Sequence, residues 1–401
     1  MAEDIRARTP PRLCDLLIDC NGPIVDEPKI MCRFSVLDAD GDVLYDDHAG
    51  VERRGRSSRL SPKKNYSVEL RRASGEEQPT PLLGMGGEED WILDGSWVDR
   101  SLLRNQLVAD LYRSLGRDGE RWAPEGRFCR LELNGRSRGI YRLVERIKAD
   151  ESRLDLHGEH SFVIKQKSGG AVQWVVGRQK VDFRVLHPRG QGHTLARIDH
   201  VRAWMRGFSV ALSDSGGEQV FQFLDLDATV DFVIVQELAK NVDAYHLSLH
   251  VFKDHDGLAQ LVPWDFDLSM GVPAVATRSG LPRLRQEVPQ HWTYKRTPLI
   301  HALARTSRFR ERLVQRWGAH RRGPLAGPVI SARLDDYVAT LAPGVEENFE
   351  IWPIEDVSVR QIYRPFSMYP VTSYLEEIRK LRAWLGARLV WMDKHIADFP
   401  R

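Results

Sequence analysis

The sequence predicts an α+β protein of two lobes, a β-rich N-terminal lobe over residues 13–190 and a mainly helical C-terminal lobe over 191–401. Three observations carry this. The chain has 401 residues, more than one hydrophobic core usually supports. Before about residue 190 the apolar residues come in short alternating runs separated by turn residues. After it they fall into longer stretches with helical spacing. Strands first and helices second is the pattern of an α+β fold.

Taken in order, residues 1–12 are polar, lack the apolar core of a secretion signal and read as a disordered tail. Ile30–Leu37 and Val43–Tyr45 are strands around the turn Asp38–Asp42, with Gly41 supplying the reversal. That Asp-rich turn lacks the distal Glu of a calcium loop, which leaves a hairpin. Tyr66–Leu70 alternates as a strand. Asp99–Leu115 reads as a helix, with Asp99 as its N-cap, Leu102, Leu103, Leu107 and Leu111 as its stripe, and Gly116 as its stop. Phe128–Leu133 and Gly139–Val144 are strands joined by Asn134-Gly135, a strong hairpin signal. Phe162–Lys165 and Gln173–Val176 are strands around Gly169-Gly170. His200–Leu212 and the apolar Asp227–Lys240 are helices. His250–Lys253 and Leu258–Trp264 form a hairpin. The rest is mostly helical and ends in Tyr374–Ile396.

Composition excludes several classes. Eleven Trp and a net charge of +2 argue against disorder, and the balanced charge gives no argument for a nucleic-acid partner. The run Arg53-Arg54-Gly55-Arg56 reads as solvated surface. No segment approaches the roughly 20 apolar residues of a membrane span. Cys14, Cys20, Cys32 and Cys129 form no C-x-x-C pair and have no His cluster beside them, so buried free thiols are expected. With no secretion signal, the expected setting is the cytoplasm.

The chemistry concentrates in two short stretches. Asp243 follows a buried helix, and Asp265 with Asp267 follows a hairpin. Carboxylates at the ends of rigid elements are where a scaffold presents chemistry. Protein kinases share this grammar: an Asp that takes the acceptor hydroxyl, a metal ligand five residues on, then a hairpin and a second Asp that holds magnesium. Here Ser248 stands five residues after Asp243, and Asp265-Phe266-Asp267 ends the hairpin. On local text alone, the plain alternative is that the same acids cap a helix and a turn.

Several blocks in order resemble the CotH (spore coat protein H) kinase family. They are Arg54-Gly55-Arg56-Ser57-Ser58; Pro62-Lys63-Lys64-Asn65-Tyr66; Leu82-Leu83-Gly84; Asp90-Trp91-Ile92-Leu93; Asp99 through Arg104-Asn105; and Asn134-Gly135 through Gly139, Tyr141, Leu143, Glu145, Ile147 and Lys148. The last are Asn241-Val242-Asp243, Leu247-Ser248, Phe252-Lys253-Asp254 and Pro263-Trp264-Asp265-Phe266-Asp267 through Gly271. Trp391 and Asp393 of the last helix fit as well. The resemblance implies an atypical kinase-like fold that uses ATP with Mg²⁺ or Mn²⁺ to phosphorylate a hydroxyl of a protein or peptide.

The resemblance also implies roles. Asp243 is the catalytic base. Asp265, Asp267 and Ser248 are the metal ligands, Asp267 either as a second ligand or one position removed from the ion. Lys165 is the lysine that pairs the nucleotide phosphates, with Glu145 as its partner; their plain alternatives are a surface lysine and a strand-end acid. Arg56 and Ser58 belong to a loop over the phosphates, assisted by Lys64. Lys63 and Lys64 are neighbours on a strand, so at most one of them faces the nucleotide. Arg104 either touches phosphate or locks the fold through an ion pair. Two departures stand out: Ser248 is where many kinases have Asn, and Ala244 follows the base where Gly is common. The rival readings are a pseudokinase-like ATP-binding module, a transferase that moves AMP in place of phosphate, and a metal-dependent hydrolase, for which His246 and His250 are too few ligands.

Overall fold

The computed structural model describes residues 13–399 except 56–57, 118–119, 177–178, 190–193, 215–216, 246, 273–286, 294–296 and 356–370. The tail expected over 1–12 lies outside the described residues, as do Arg56 and His246. The fold is mixed α+β. Contacts divide the chain into two compact units. One holds residues 1–103, 125–146 and 330–374; the other holds 104–124, 147–329 and 375–401.

The first unit is a closed barrel of seven strands in the order β1-β2-β3-β4-β5-β7-β6. These are β1 (Cys14–Cys20), β2 (Ile30–Leu37), β3 (Val43–Arg54), β4 (Asn65–Arg71), β5 (Asp90–Asp94), β6 (Gly126–Leu133) and β7 (Arg136–Glu145). Every pairing is antiparallel except the closing one, in which β1 runs parallel to β6. Closure removes the exposed strand edges that an open sheet must protect. Inward side chains alternate along each strand, and Leu16, Phe34, Val51, Val68, Trp91, Leu131 and Leu143 fill the interior. Asn134 and Gly135 both take positive φ, +51° and +68°, as the predicted tight hairpin requires.

The barrel corrects the reading of the cysteines. Cys20 and Cys32 are direct partners across β1 and β2, with Cα atoms 4.5 Å apart, and form a disulfide. A sequence separation of 12 with no paired motif hides this, because register alone brings them together. Cys14 and Cys129 remain buried free thiols, neighbours in the parallel β1–β6 pairing.

The second unit is built on a five-stranded antiparallel sheet in the order β12-β11-β8-β10-β9. Its strands are β8 (Phe162–Gln166), β9 (Val172–Val176), β10 (Gln179–His187), β11 (His250–Lys253) and β12 (Gln260–Val262). The strands of the β-rich first half therefore fall into two sheets. β8–β10 belong by contact with the later hairpin. Helix α2 (Leu195–Ser213) covers one face with Trp204 and Phe208, which meet Phe162 and Trp174. Ile147, Leu154, Val163 and Val262 form a separate cluster.

Helix α1 is Arg104–Ser114, five residues shorter at its start than Asp99 suggests. Asp99 instead caps a turn: its carboxylate accepts from the Ser101 amide at 3.0 Å and hydroxyl at 2.6 Å. Helix α3 (Leu226–Ala239) is buried at every position from Ala228 onward, as an all-round apolar helix should be. Asp225 caps its start through the Ala228 amide at 2.7 Å, and Lys240, with φ +52°, ends it. Helices α4 (Pro298–Leu303), α5 (Ser307–Arg321), α6 (Gly327–Ile351) and α7 (Tyr374–His395) complete the chain. Among the described residues no helix is long and apolar enough to cross a membrane.

Candidate active site

The end of α3 sets the first acid. Lys240 turns the chain out of the helix, and its Nζ donates to the carbonyls of Val288 at 2.8 Å and Gln290 at 2.6 Å. Asn241 follows, buried, and accepts from the Asp243 amide at 3.1 Å. The Leu247 amide then donates to the Asp243 carbonyl at 3.1 Å. Asp243 is thus held by backbone bonds, and its carboxylate is left for other work.

The second acid is set by β12. Three residues beyond it, Asp265 takes φ +70°, a left-handed conformation that few residues other than glycine take and that Asp tolerates better than most. Its carbonyl accepts from the Asn241 side chain at 3.1 Å, and the next amide, of Phe266, donates to the Asn105 side chain at 2.7 Å. Asn241 therefore ties the Asp243 turn to the Asp265 turn. Ser248, also at positive φ (+53°), donates its hydroxyl to the Asp265 carboxylate at 2.8 Å. Two non-glycine residues in costly conformations facing one another mark a place where the fold holds strain for a purpose.

The electrostatics single out Asp243. Burial pushes its carboxyl up, the negative charge of Asp265 adds to that, and it titrates at about 7. Among the described residues, no cationic side chain is bonded to either carboxylate. Two facing acids, a hydroxyl and nearby amide oxygens are the hard donor set a divalent cation takes.

The structure thus brings together Asp243, Asp265 and Ser248. Asp267 lies two residues on, half-buried, in the turn after Asp265. Lys165 lies on β8 directly opposite His250 of β11, the strand that leaves the Ser248 turn. The His250 ring donates to the Ser248 carbonyl at 3.1 Å and meets Trp264 edge-on at 6.0 Å. Lys165 on β8, Ser248 just before β11 and Asp265 just after β12 are therefore placed by three adjacent strands of one sheet.

The other expected residues lie in the barrel unit. Glu145, at the end of β7, is buried and accepts from the Glu125 amide at 2.9 Å. Ser58 opens a short 3-10 turn after Gly55, whose φ of +113° and close approach to the Ser58 hydroxyl leave no room for a Cβ. Lys64 donates to the Arg59 carbonyl at 2.8 Å, and Lys63 is wholly buried against the Ile140 carbonyl and Asn348. Arg104 locks the fold: its guanidinium meets Glu377 at 2.8 Å with both groups fully buried, and it donates to the Ser269 carbonyl at 3.0 Å. Asp393 is structural too, accepting from Trp317 at 3.0 Å and Arg321 at 2.9 Å.

Asn105 and Asn241 are the working residues to which the sequence assigned no role. Both stand in the blocks of resemblance, but Asn241 near Asp243 reads as turn chemistry and Asn105 as an ordinary helix residue until their partners are visible. A second acidic group, Glu88-Glu89-Asp90, has ligand atoms within 4.8 Å of one another. Arg146 at 2.8 Å and Lys29 at 3.7 Å already neutralise its Asp90, so it serves the barrel. Comparison with family models matches residues 51–392 to one family, described as CotH kinase protein. No curated protein matches the chain.

Proposed function

The chain belongs to the CotH kinase family, and from that premise we propose that it transfers the γ-phosphate of ATP to a hydroxyl of a protein or peptide, using Mg²⁺ or Mn²⁺. The observation that carries this reading is the pair Asp243 and Asp265: burial and then the neighbouring Asp265 charge push the Asp243 carboxyl up, and among the described residues no cation is bonded to either. Their mutual repulsion is what a bound divalent ion relieves. The residues that would hold it are Asp265, Asp267 and Ser248. Bound there, the ion supplies charge neutralisation on the phosphates.

The chain's own residues do the rest. Asp243 orients the acceptor hydroxyl and takes its proton, a task suited to a carboxyl titrating near neutral pH. Asn241 and Asn105 hold the two acid-bearing turns in register. Lys165 offers a compact cation to the nucleotide phosphates, and a lysine serves there as a point charge. Glu145, Lys64, Arg56 and Ser58 remain proposed contributors from the barrel unit. The reaction needs a compartment that holds ATP. The cytoplasm supplies it and suits the free thiols of Cys14 and Cys129, whereas the Cys20–Cys32 bridge suits an oxidising one.

The test is product analysis after incubation with ATP labelled at the γ or the α phosphate, with Mg²⁺ and with EDTA. Transfer of γ label that requires the metal is the expected result. Transfer of α label would mean that AMP moves instead. ATP binding of equal strength with and without metal, and no transfer of either label, would leave only a binding module.

A further inference from the structure

At one end of the barrel, where β3 runs out and the Asn134–Gly135 turn joins β6 to β7, lies a cavity of about 300 Å³. Arg53, Lys64 and Arg138 line it, and none of its lining residues is an Asp or Glu. Arg53 stands directly across from Tyr66 in the β3–β4 pairing, so the two side chains share a face. Tyr66 stacks on Tyr141 with ring centroids 6.3 Å apart, and Trp352 adds a third aromatic wall. Mouths of β-barrels are a common place for ligand sites, and few polar groups among aromatic walls is their usual composition.

Among the described residues, no acid is bonded to any of the three cations. The Nε of Arg138 is buried and has no hydrogen-bond partner among the described residues. Among the described residues the Lys64 amine reaches the Arg59 carbonyl, and Asp26, the acid whose charge acts on it, is bonded to Arg59 at 2.9 Å. Burial lowers the Lys64 amine below its usual range, and the Arg53 charge lowers it further. Burial raises the Tyr66 hydroxyl, against the pull of Arg138 and Arg53. Both guanidiniums line the same cavity as this phenol. Gathering like charges costs energy unless an anion arrives.

We propose that this barrel mouth binds a phosphate monoester, its phosphate held by Arg53, Arg138 and Lys64 and its organic body by Tyr66, Tyr141 and Trp352. Three cationic groups exceed what one carboxylate neutralises. A phosphomonoester carries close to two negative charges and three acceptor oxygens, which matches them. The phosphorylated side chain of a peptide and a free phosphorylated small molecule both present this group. The site uses no residue of the Asp243–Asp265 cluster; Lys64 is the one residue it shares with the proposed kinase reaction, and Arg53 and Arg138 belong to it alone.

The experiment is calorimetry on the full chain in EDTA without ATP, titrating phenyl phosphate, phenol, inorganic phosphate and a short phosphoserine peptide. Phenyl phosphate is expected to bind, phenol not. Arg53→Gln and Arg138→Gln are each expected to weaken phenyl phosphate tenfold or more, and Asp265→Asn to leave it unchanged. Melting curves accompany each variant; should Arg138→Gln fail to fold, Arg53→Gln and Lys64→Gln carry the test. Peptide binding tighter than phenyl phosphate identifies a phosphorylated protein as the source, and the reverse a small molecule. No binding of any phosphate ester, binding untouched by the arginine variants, or binding lost only in Asp265→Asn would overturn the proposal. Because neither ATP nor metal is present, such a failure leaves the kinase reading standing.

Discussion

Asp231 and Asp243 belong to the same stretch of chain, one inside α3 and one just past it, and the protein treats them in opposite ways. Asp231 is fully buried. Burial alone would raise it, but hydrogen bonds from His320 and Arg316 and the charges of Arg316 and Arg121 outweigh that and hold it below its usual range. Arg121 approaches at 2.7 Å, Arg316 at 2.5 Å and His320 at 2.8 Å. Asp243 is pushed up to about 7, by burial first and then by the charge of Asp265, because no counter-charge among the described residues offsets its burial. The acid that serves the scaffold has its counter-charges built in. The acid proposed for the site has none bonded to it among the described residues.

The largest effect should come from breaking the satisfied acid. Asp231→Ala leaves two arginines without their buried partner, and stripping one member from such a cluster costs about 3–5 kcal/mol. Urea denaturation is expected to show a loss on that scale. An unchanged midpoint would mean the network does not hold α3. Asp243→Asn should do the reverse. It removes repulsion, so the denaturation midpoint should stay or rise, while turnover falls by about 10²-fold or more, the scale of a positioned acid–base group. Destabilisation without loss of turnover would make Asp243 a structural cap. Asp265→Asn should abolish metal-dependent ATP binding, read by calorimetry, whereas Asp243→Asn keeps it. If both variants lose binding equally, Asp243 belongs with the metal ligands.

The smallest expected effect is a pH dependence elsewhere in the same unit. His160 stacks on His200 at 4.1 Å and on His255 at 4.6 Å. Burial, then the neighbouring His160, Lys253 and His255, lower His200 below its ordinary value of 6.5. The unfolded chain therefore binds this proton more readily than the folded one. Stability should be retained above pH 6.5 and decline as the pH falls through 6.5 toward the folded value. His200→Gln should flatten that decline in thermal melts across pH 5 to 7.

The contrast also explains what was legible in the sequence. Asp243, Ser248 and Asp265 are named by spacing, because one helix end and one hairpin deliver them locally. Arg104 offers two readings until Glu377 is seen beside it, since the partner lies far along the chain. The same holds for Asp231 and its arginines, and for Cys20 with Cys32, where only strand register makes the pair. The strands themselves read well, Ile30–Leu37 to the residue, because alternation is local. Their division into a barrel and a second sheet did not, because alternation does not say which neighbour a strand will choose.

Lys63 gives the barrel a chronology. Its amine lies wholly buried, donating to the Ile140 carbonyl at 2.5 Å and to the Asn348 side chain at 2.8 Å, and Asn348 also accepts from the Ile140 amide at 3.0 Å. Asn348 is 285 residues farther along. A ribosome releases every strand of the barrel long before it makes the residue that satisfies this lysine. Until then the Lys63 amine of the nascent barrel lacks one of its two acceptors, and the barrel reaches its final bonding only when α6 emerges. The N-terminal unit is thus among the first to be synthesised and among the last to be complete, an interval in which a chaperone has something to hold.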